Sequence, residues 1–132
     1  MRLSAILGSI GSVMLILSAP AHSLLGWPQV REQLARVNAP GDLVTGLEIG
    51  WHFAGVAMVA LGLVALRVFT RRGRGVAASL FPAVLVATTY LLFGAWALVV
   101  SGFDLFFLVF VIPGALLMSA ALMEKGRQAT GA

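Results

Sequence analysis

Four long apolar segments dominate this chain of 132 residues. Each reaches the roughly 20 residues that an α-helix needs to cross the hydrocarbon core of a bilayer. The segments do not alternate apolar and polar residues, so they predict helices rather than the strands of a membrane barrel. They run from about Leu3 to Leu25, Leu43 to Leu66, Val76 to Val100 and Phe103 to Met123.

The composition indicates that lipid is the solvent for most of the chain. Its residues are 60% hydrophobic and 11% charged, and a water-soluble domain of this length cannot bury so much apolar surface. We therefore predict an all-α membrane protein in which residues 1–132 form one four-helix transmembrane bundle. The absence of cysteine excludes disulfides, thiolate metal ligands and nucleophilic thiols.

The connection between the first two segments is predicted to contain a short amphipathic helix. Pro28 suits the first turn of a helix, and Val30, Leu34 and Val37 then fall on one stripe. We expect this helix to lie flat in the membrane interface between helices 1 and 2. Trp27 would anchor it at the level of the lipid headgroups.

Basic residues are distributed unevenly between the two sides of the predicted bundle. Seven lie at the chain ends and in the middle loop, and only Arg31 and Arg36 lie on the other side. The positive-inside rule then places both termini in the cytoplasm. Because the charges flank apolar segments, the net charge of +4 does not indicate nucleic acid as a partner. The seven residues are Arg2, Arg67, Arg71, Arg72, Arg74, Lys125 and Arg127.

The predicted location is the inner membrane of a bacterium. Arginine outnumbers lysine eight to one, as in proteins from GC-rich bacterial genomes. Ala19-Pro20-Ala21 also resembles a signal-peptidase site, and cleavage after Ala21 would leave three helices. The apolar run continues through Leu24 and Leu25, which favours retention of the first helix.

Four ionisable residues, His22, Glu48, His52 and Asp104, fall toward the outer ends of the predicted helices. Because such residues are costly at membrane depth, each is a candidate functional residue. Glu48 and His52 are four residues apart and share one helix face, next to Trp51. Antiparallel packing of the first two helices would bring the two histidines to similar depth.

Each candidate also has a purely structural interpretation. Thr45-x-x-Glu48 has the spacing of a capping box at a helix start. Asp104 stands three residues after Ser101, again the spacing of a helix cap. His22 is explained as an interfacial polar residue near a helix end, and His52 as a residue that forms a hydrogen bond with another helix.

A stripe of small residues on the second segment, Gly46, Gly50 and Ala54, permits close approach of another helix. It serves either internal packing or a dimer face. Internal packing is the expectation in a chain with several helices.

The stretch His22-Ser23-Leu24-Leu25-Gly26, with the later pair Trp51-His52, resembles a group of small uncharacterised bacterial four-helix membrane proteins. These carry His-Ser-x-x-Gly in helix 1 and Trp-His in helix 2, and the likeness covers the first half of this chain. An acidic residue often follows the glycine in that group, whereas Trp27 stands there in this chain. The resemblance implies the four-helix architecture and the two histidines, and no known activity.

The first functional hypothesis is a non-enzymatic accessory or structural membrane protein. The chain has no His-Glu-x-x-His motif, phosphate-binding loop, nucleotide fingerprint or nucleophile elbow. Its partners would be the lipid bilayer and other membrane subunits or a second copy.

Two alternatives remain open. One is a cofactor site with His22 and His52 as axial ligands of haem, or the same histidines with Glu48 and Asp104 around a divalent metal. The other is a small transporter or channel subunit in which the His52–Glu48 pair responds to protons.

Overall fold

In the computed structural model, which describes residues 2–130, every regular element is a helix. The two ends of the chain, residue 1 and residues 131–132, lie outside the described part. The elements are α1 (Leu3–Pro20), a π-helical segment (Ala21–Gly26), α2 (Trp27–Arg36), α3 (Gly41–Gly73), α4 (Phe81–Val100), a 3₁₀ turn (Leu105–Phe107) and α5 (Leu108–Thr130).

Within residues 2–130, four helices are long and apolar enough to cross a membrane, which confirms the predicted number of long segments. The boundary of α3 differs from the prediction, because this helix continues past the predicted end at Leu66 as far as Gly73. The apolar pattern marks where lipid-facing residues stop, whereas the helix itself continues through the basic residues that follow. It ends where Gly75 adopts a left-handed backbone with φ of 76°.

The first long helix does not end near Leu25. Its backbone remains helical through the π-helical segment, and Gly26, with φ −74° and ψ −47°, leads directly into α2. Pro28 lacks the N–H that would bond the preceding turn, and its ring crowds that turn. The wider π-helical turn lies immediately before it. A separate short interfacial helix is therefore not confirmed, because α2 is the continuation of α1.

The central helix of the bundle is α1, which packs against α3 on one side and α5 on the other. α4 packs mainly against α5 and contacts α3 only slightly. The fully buried side chains Leu15, Phe69 and Leu117 come from α1, α3 and α5 and meet in one core with residues of α4. The weak contact between α3 and α4 leaves a groove between them.

Glycines set the distances between neighbouring helices. A Cβ on Gly62 of α3 would lie 3.1 Å from the backbone oxygen of Ser12 in α1. A Cβ on Gly94 of α4 would lie 3.1 Å from the backbone nitrogen of Val111 in α5. The helix backbones therefore approach closely where side chains are absent, as is common in membrane bundles.

The two glycines of the predicted small-residue stripe on α3 do not pack against another helix. Gly46 and Gly50 are exposed, and a Cβ on either would meet no atom within 4 Å. The expectation of internal packing there was wrong. The close contacts with the first long helix lie further along α3, at Gly55 and Gly62.

The outside of the bundle is apolar. Leu17, Phe53 and Leu92 are 65%, 71% and 68% exposed, on α1, α3 and α4 respectively. Exposed apolar surface on this scale is not a feature of water-soluble monomers. It fits a multi-pass membrane protein.

Candidate functional site

The structure brings together five residues around the predicted outer site through ring contacts and hydrogen bonds. We call His22, Trp27, Glu48, Trp51 and His52 the tryptophan–histidine cluster. The rings of His22 and Trp51 are stacked, with centroids 4.3 Å apart and planes 4° apart. Trp51 Nε1 donates to the His22 carbonyl at 2.7 Å, and His22 Nε2 lies 3.2 Å from the Trp51 carbonyl. These two residues therefore connect the first long helix to α3.

The local backbone makes room for this pair. His22 lies in the π-helical segment, whose carbonyls have a different bonding geometry from those of an α-helix. A Cβ on Gly26 would lie only 3.0 Å from Trp51 Cζ2, so glycine leaves space for the indole. A Cβ on Gly55 would overlap the Ser23 hydroxyl on the facing helix.

Glu48 does not cap its helix. It lies inside α3, and its Oε1 accepts a hydrogen bond from Trp27 Nε1 at 3.0 Å. Thr45 donates its hydroxyl to the Gly41 carbonyl at 2.9 Å instead of accepting at a helix start. The capping-box interpretation was wrong because α3 begins at Gly41, four residues before the predicted cap.

Trp27 differs from the predicted interface anchor. Only 5% of its surface is exposed. The centroid of its ring lies 6.2 Å from that of Trp51 and 6.2 Å from that of His52, which it meets edge to face. Its N–H is bonded to Glu48 within the protein rather than to lipid headgroups. Trp27 thus serves as a buried link between the start of α2 and α3.

The two histidines do not face one another across the helices. The ring of His22 is stacked on Trp51, and the ring of His52 meets Trp27 edge to face. Because a backbone carbonyl only accepts, the contact of His22 Nε2 with the Trp51 carbonyl requires a proton on that nitrogen. In this arrangement His22 Nε2 has no lone pair to offer a metal, and only Nδ1 retains that capacity.

Asp104 acts as a cap. Its carboxylate accepts from the Phe106 backbone N–H at 2.9 Å, and its own N–H donates to the Ser101 hydroxyl at 3.2 Å. Among residues 2–130, no three or more His, Cys, Asp or Glu side chains are placed to hold one metal ion. The structure therefore does not assemble the four-ligand set His22, His52, Glu48 and Asp104.

Sequence reasoning missed a second polar cluster, which lies at the opposite end of the bundle. We call Ser4, Arg72 and Glu124 the arginine–glutamate cluster. Arg72 Nη1 lies 3.2 Å from Glu124 Oε2, with side chains only 10% and 4% exposed. Ser4 donates its hydroxyl to Glu124, and Arg72 Nε donates to the Ala78 carbonyl at 2.9 Å. The cluster joins α1, α3 and α5 and holds the chain that leads into α4.

One signal in the sequence points to Glu124. Glu124 is the only acidic residue on the side of the predicted bundle that has seven basic ones. Seven basic residues share that side, so the sequence does not show that Arg72 is the one that pairs with Glu124.

Comparison of the chain with protein-family models, with curated proteins and with solved structures gives no match. Function is therefore inferred from the contacts of the described residues. His52 contacts Trp27 edge to face, and the other side chains of both clusters are hydrogen-bonded to partners on other elements of the chain. Their chemistry is that of cross-links between helices.

Proposed function

We propose that this chain is a non-enzymatic accessory or structural protein of the bacterial inner membrane. The observation that supports this most is that three of the four polar side chains that looked functional, His22, Glu48 and Asp104, have structural hydrogen-bonding partners within the chain. His22 and Glu48 are bonded to Trp51 and Trp27, and Asp104 caps a 3₁₀ turn. The role of these groups is to fix the bundle, whose partners are lipid and other membrane subunits or a second copy.

The proposed topology places both termini in the cytoplasm. It is supported by the seven basic residues at one end of the predicted bundle against two at the other. In this orientation the tryptophan–histidine cluster lies toward the outer face. α2 then emerges at that face with Arg31 and Glu32 exposed, so that its polar side meets the interface.

The topology is testable because the chain contains no cysteine. Single variants Val37→Cys and Arg74→Cys place one thiol at each end of the bundle, at positions exposed in the structure. We expect a membrane-impermeant maleimide to label Val37→Cys in intact spheroplasts and Arg74→Cys only after lysis. The reverse pattern would overturn the proposed orientation.

The cofactor hypothesis is tested by metal analysis and an absorption spectrum of the protein purified in detergent from cells well supplied with haem and metals. We expect a colourless, metal-free protein, and we expect His22→Gln and His52→Gln to lower only its thermal stability. Stoichiometric iron or zinc that disappears in either variant would overturn the non-enzymatic assignment and restore the histidines as ligands.

A further inference from the structure

A groove lies between α3 and α4 at the basic end of the bundle. Its volume is about 390 Å³. One wall is a single face of α3, formed by four lining residues that are spaced three or four positions apart. The other wall is the connection and the first turn of α4. The lining residues used below are Val64, Arg67, Val68, Arg71, Ser79 and Pro82.

The groove contains positive charge that the protein itself does not neutralise. Arg67 and Arg71 are exposed, and no acidic side chain lines the groove among the described residues. Arg71 makes one long hydrogen bond to the Ala77 carbonyl at 3.4 Å, and the Arg67 side chain has no hydrogen-bonding or ionic partner within residues 2–130. Glu124, the acidic residue of this end, is bonded to Arg72 instead.

Charge and apolar surface are separated along the groove. Arg71 and Ser79 lie at its basic end, whereas Val64 and Pro82 lie further into the apolar spans. Val64 is seven residues before Arg71 in α3, which places it about 10 Å deeper along the helix axis. The amino end of α4 adds a favourable dipole for an anion near Ser79.

We propose that this groove binds one anionic phospholipid. The phosphate lies between Arg67 and Arg71, and an acyl chain follows Val64, Val68 and Pro82 between the two helices. Basic pockets between transmembrane helices on the cytoplasmic side are typical binding sites for anionic lipid headgroups. A free phosphate would use only the basic end, and the adjoining apolar wall is the feature that favours a lipid. The site depends on the proposed membrane location but not on which side is cytoplasmic.

The test is native mass spectrometry of the purified full chain in detergent, titrated with phosphatidylglycerol or with phosphatidylcholine. We expect one phosphatidylglycerol to be retained preferentially. The Arg67→Gln/Arg71→Gln double variant should reduce that preference roughly tenfold or more, because each arginine near an anionic headgroup contributes to binding. Circular dichroism checks that the variant, altered only at exposed side chains, keeps its helix content.

Two further variants separate this site from general charge attraction. Arg74→Gln removes a neighbouring arginine that does not line the groove, and it should keep the preference. Val64→Phe fills the apolar part while leaving both arginines, and it should weaken phosphatidylglycerol binding. An equal loss in Arg74→Gln, or full competition by inorganic phosphate, would overturn the proposal. The lipid titration is done in detergent micelles. Its outcome therefore does not depend on the orientation that the maleimide labelling reports.

Discussion

The imidazole of His22 lies flat on the indole of Trp51, with centroids 4.3 Å apart. His22 Nε2 faces the Trp51 carbonyl, and Trp51 Nε1 donates to the His22 carbonyl. This arrangement connects two helices by one stack and two hydrogen bonds. It explains why a histidine and a tryptophan are placed at this end of the bundle without invoking a ligand.

The first prediction concerns the coupling within that pair. Trp51→Phe keeps an aromatic ring but loses the N–H donor, and it should lower the free energy of unfolding by about 1 kcal/mol. Combined with His22→Ala, it should cost less than the sum of the two single changes, because they remove the same contacts. Unfolding in mixed detergent micelles measures all three. Trp96→Phe, at a side chain 59% exposed, is the control that should change little.

The second prediction distinguishes a structural Glu48 from a proton-responsive one. Glu48→Gln retains an oxygen that accepts from Trp27 Nε1, so stability should stay close to that of the parent. Glu48→Leu leaves the buried indole N–H unpaired and should cost about 1–3 kcal/mol. A pH-dependent ion flux in proteoliposomes that Glu48→Gln abolishes would instead support the transporter hypothesis.

The third prediction concerns the ion pair between Arg72 and Glu124. Arg72→Met or Glu124→Met alone leaves one buried charge without its partner, and each should destabilise the bundle by about 3–5 kcal/mol. The double Met variant removes both charges and should be more stable than either single variant. Thermal unfolding followed by circular dichroism measures the series, with Arg74→Met as the control. Double and single variants of equal stability would show that the pair is not coupled.

The fourth prediction uses two glycines of α3 in different surroundings. Gly62→Ala places a methyl group against Ile16 and the Ser12 backbone oxygen, so α1 and α3 must separate and the bundle should lose stability. Gly50→Ala meets open space, and it should be neutral or stabilising by up to about 1 kcal/mol because alanine favours the helix. Thermal unfolding in one detergent compares the two. Equal effects would contradict the assigned helix contacts.

The helical class and the four long segments followed from the sequence alone. Lipid offers the backbone no hydrogen-bonding partner, so about 20 consecutive apolar residues leave a helix as the available structure. That constraint acts locally along the chain, so the number of helices follows from it, whereas the start predicted at Val76 lies five residues before α4 begins at Phe81. Helix ends were less well predicted, since α3 continues into basic residues that lie past its apolar span.

Only the tertiary structure decided what the polar residues contact. The sequence spacing places Glu48 and His52 on one helix face. The rotation of α3 about its axis decides that this face contacts Trp27 rather than the ring of His22. The pairing of Arg72 with Glu124 joins residues 52 positions apart. Such contacts depend on helix rotation and separation, which are set by where glycines admit a neighbouring helix. Apolar periodicity determines that a helix forms, whereas the packing of one helix on another determines which of its side chains meet.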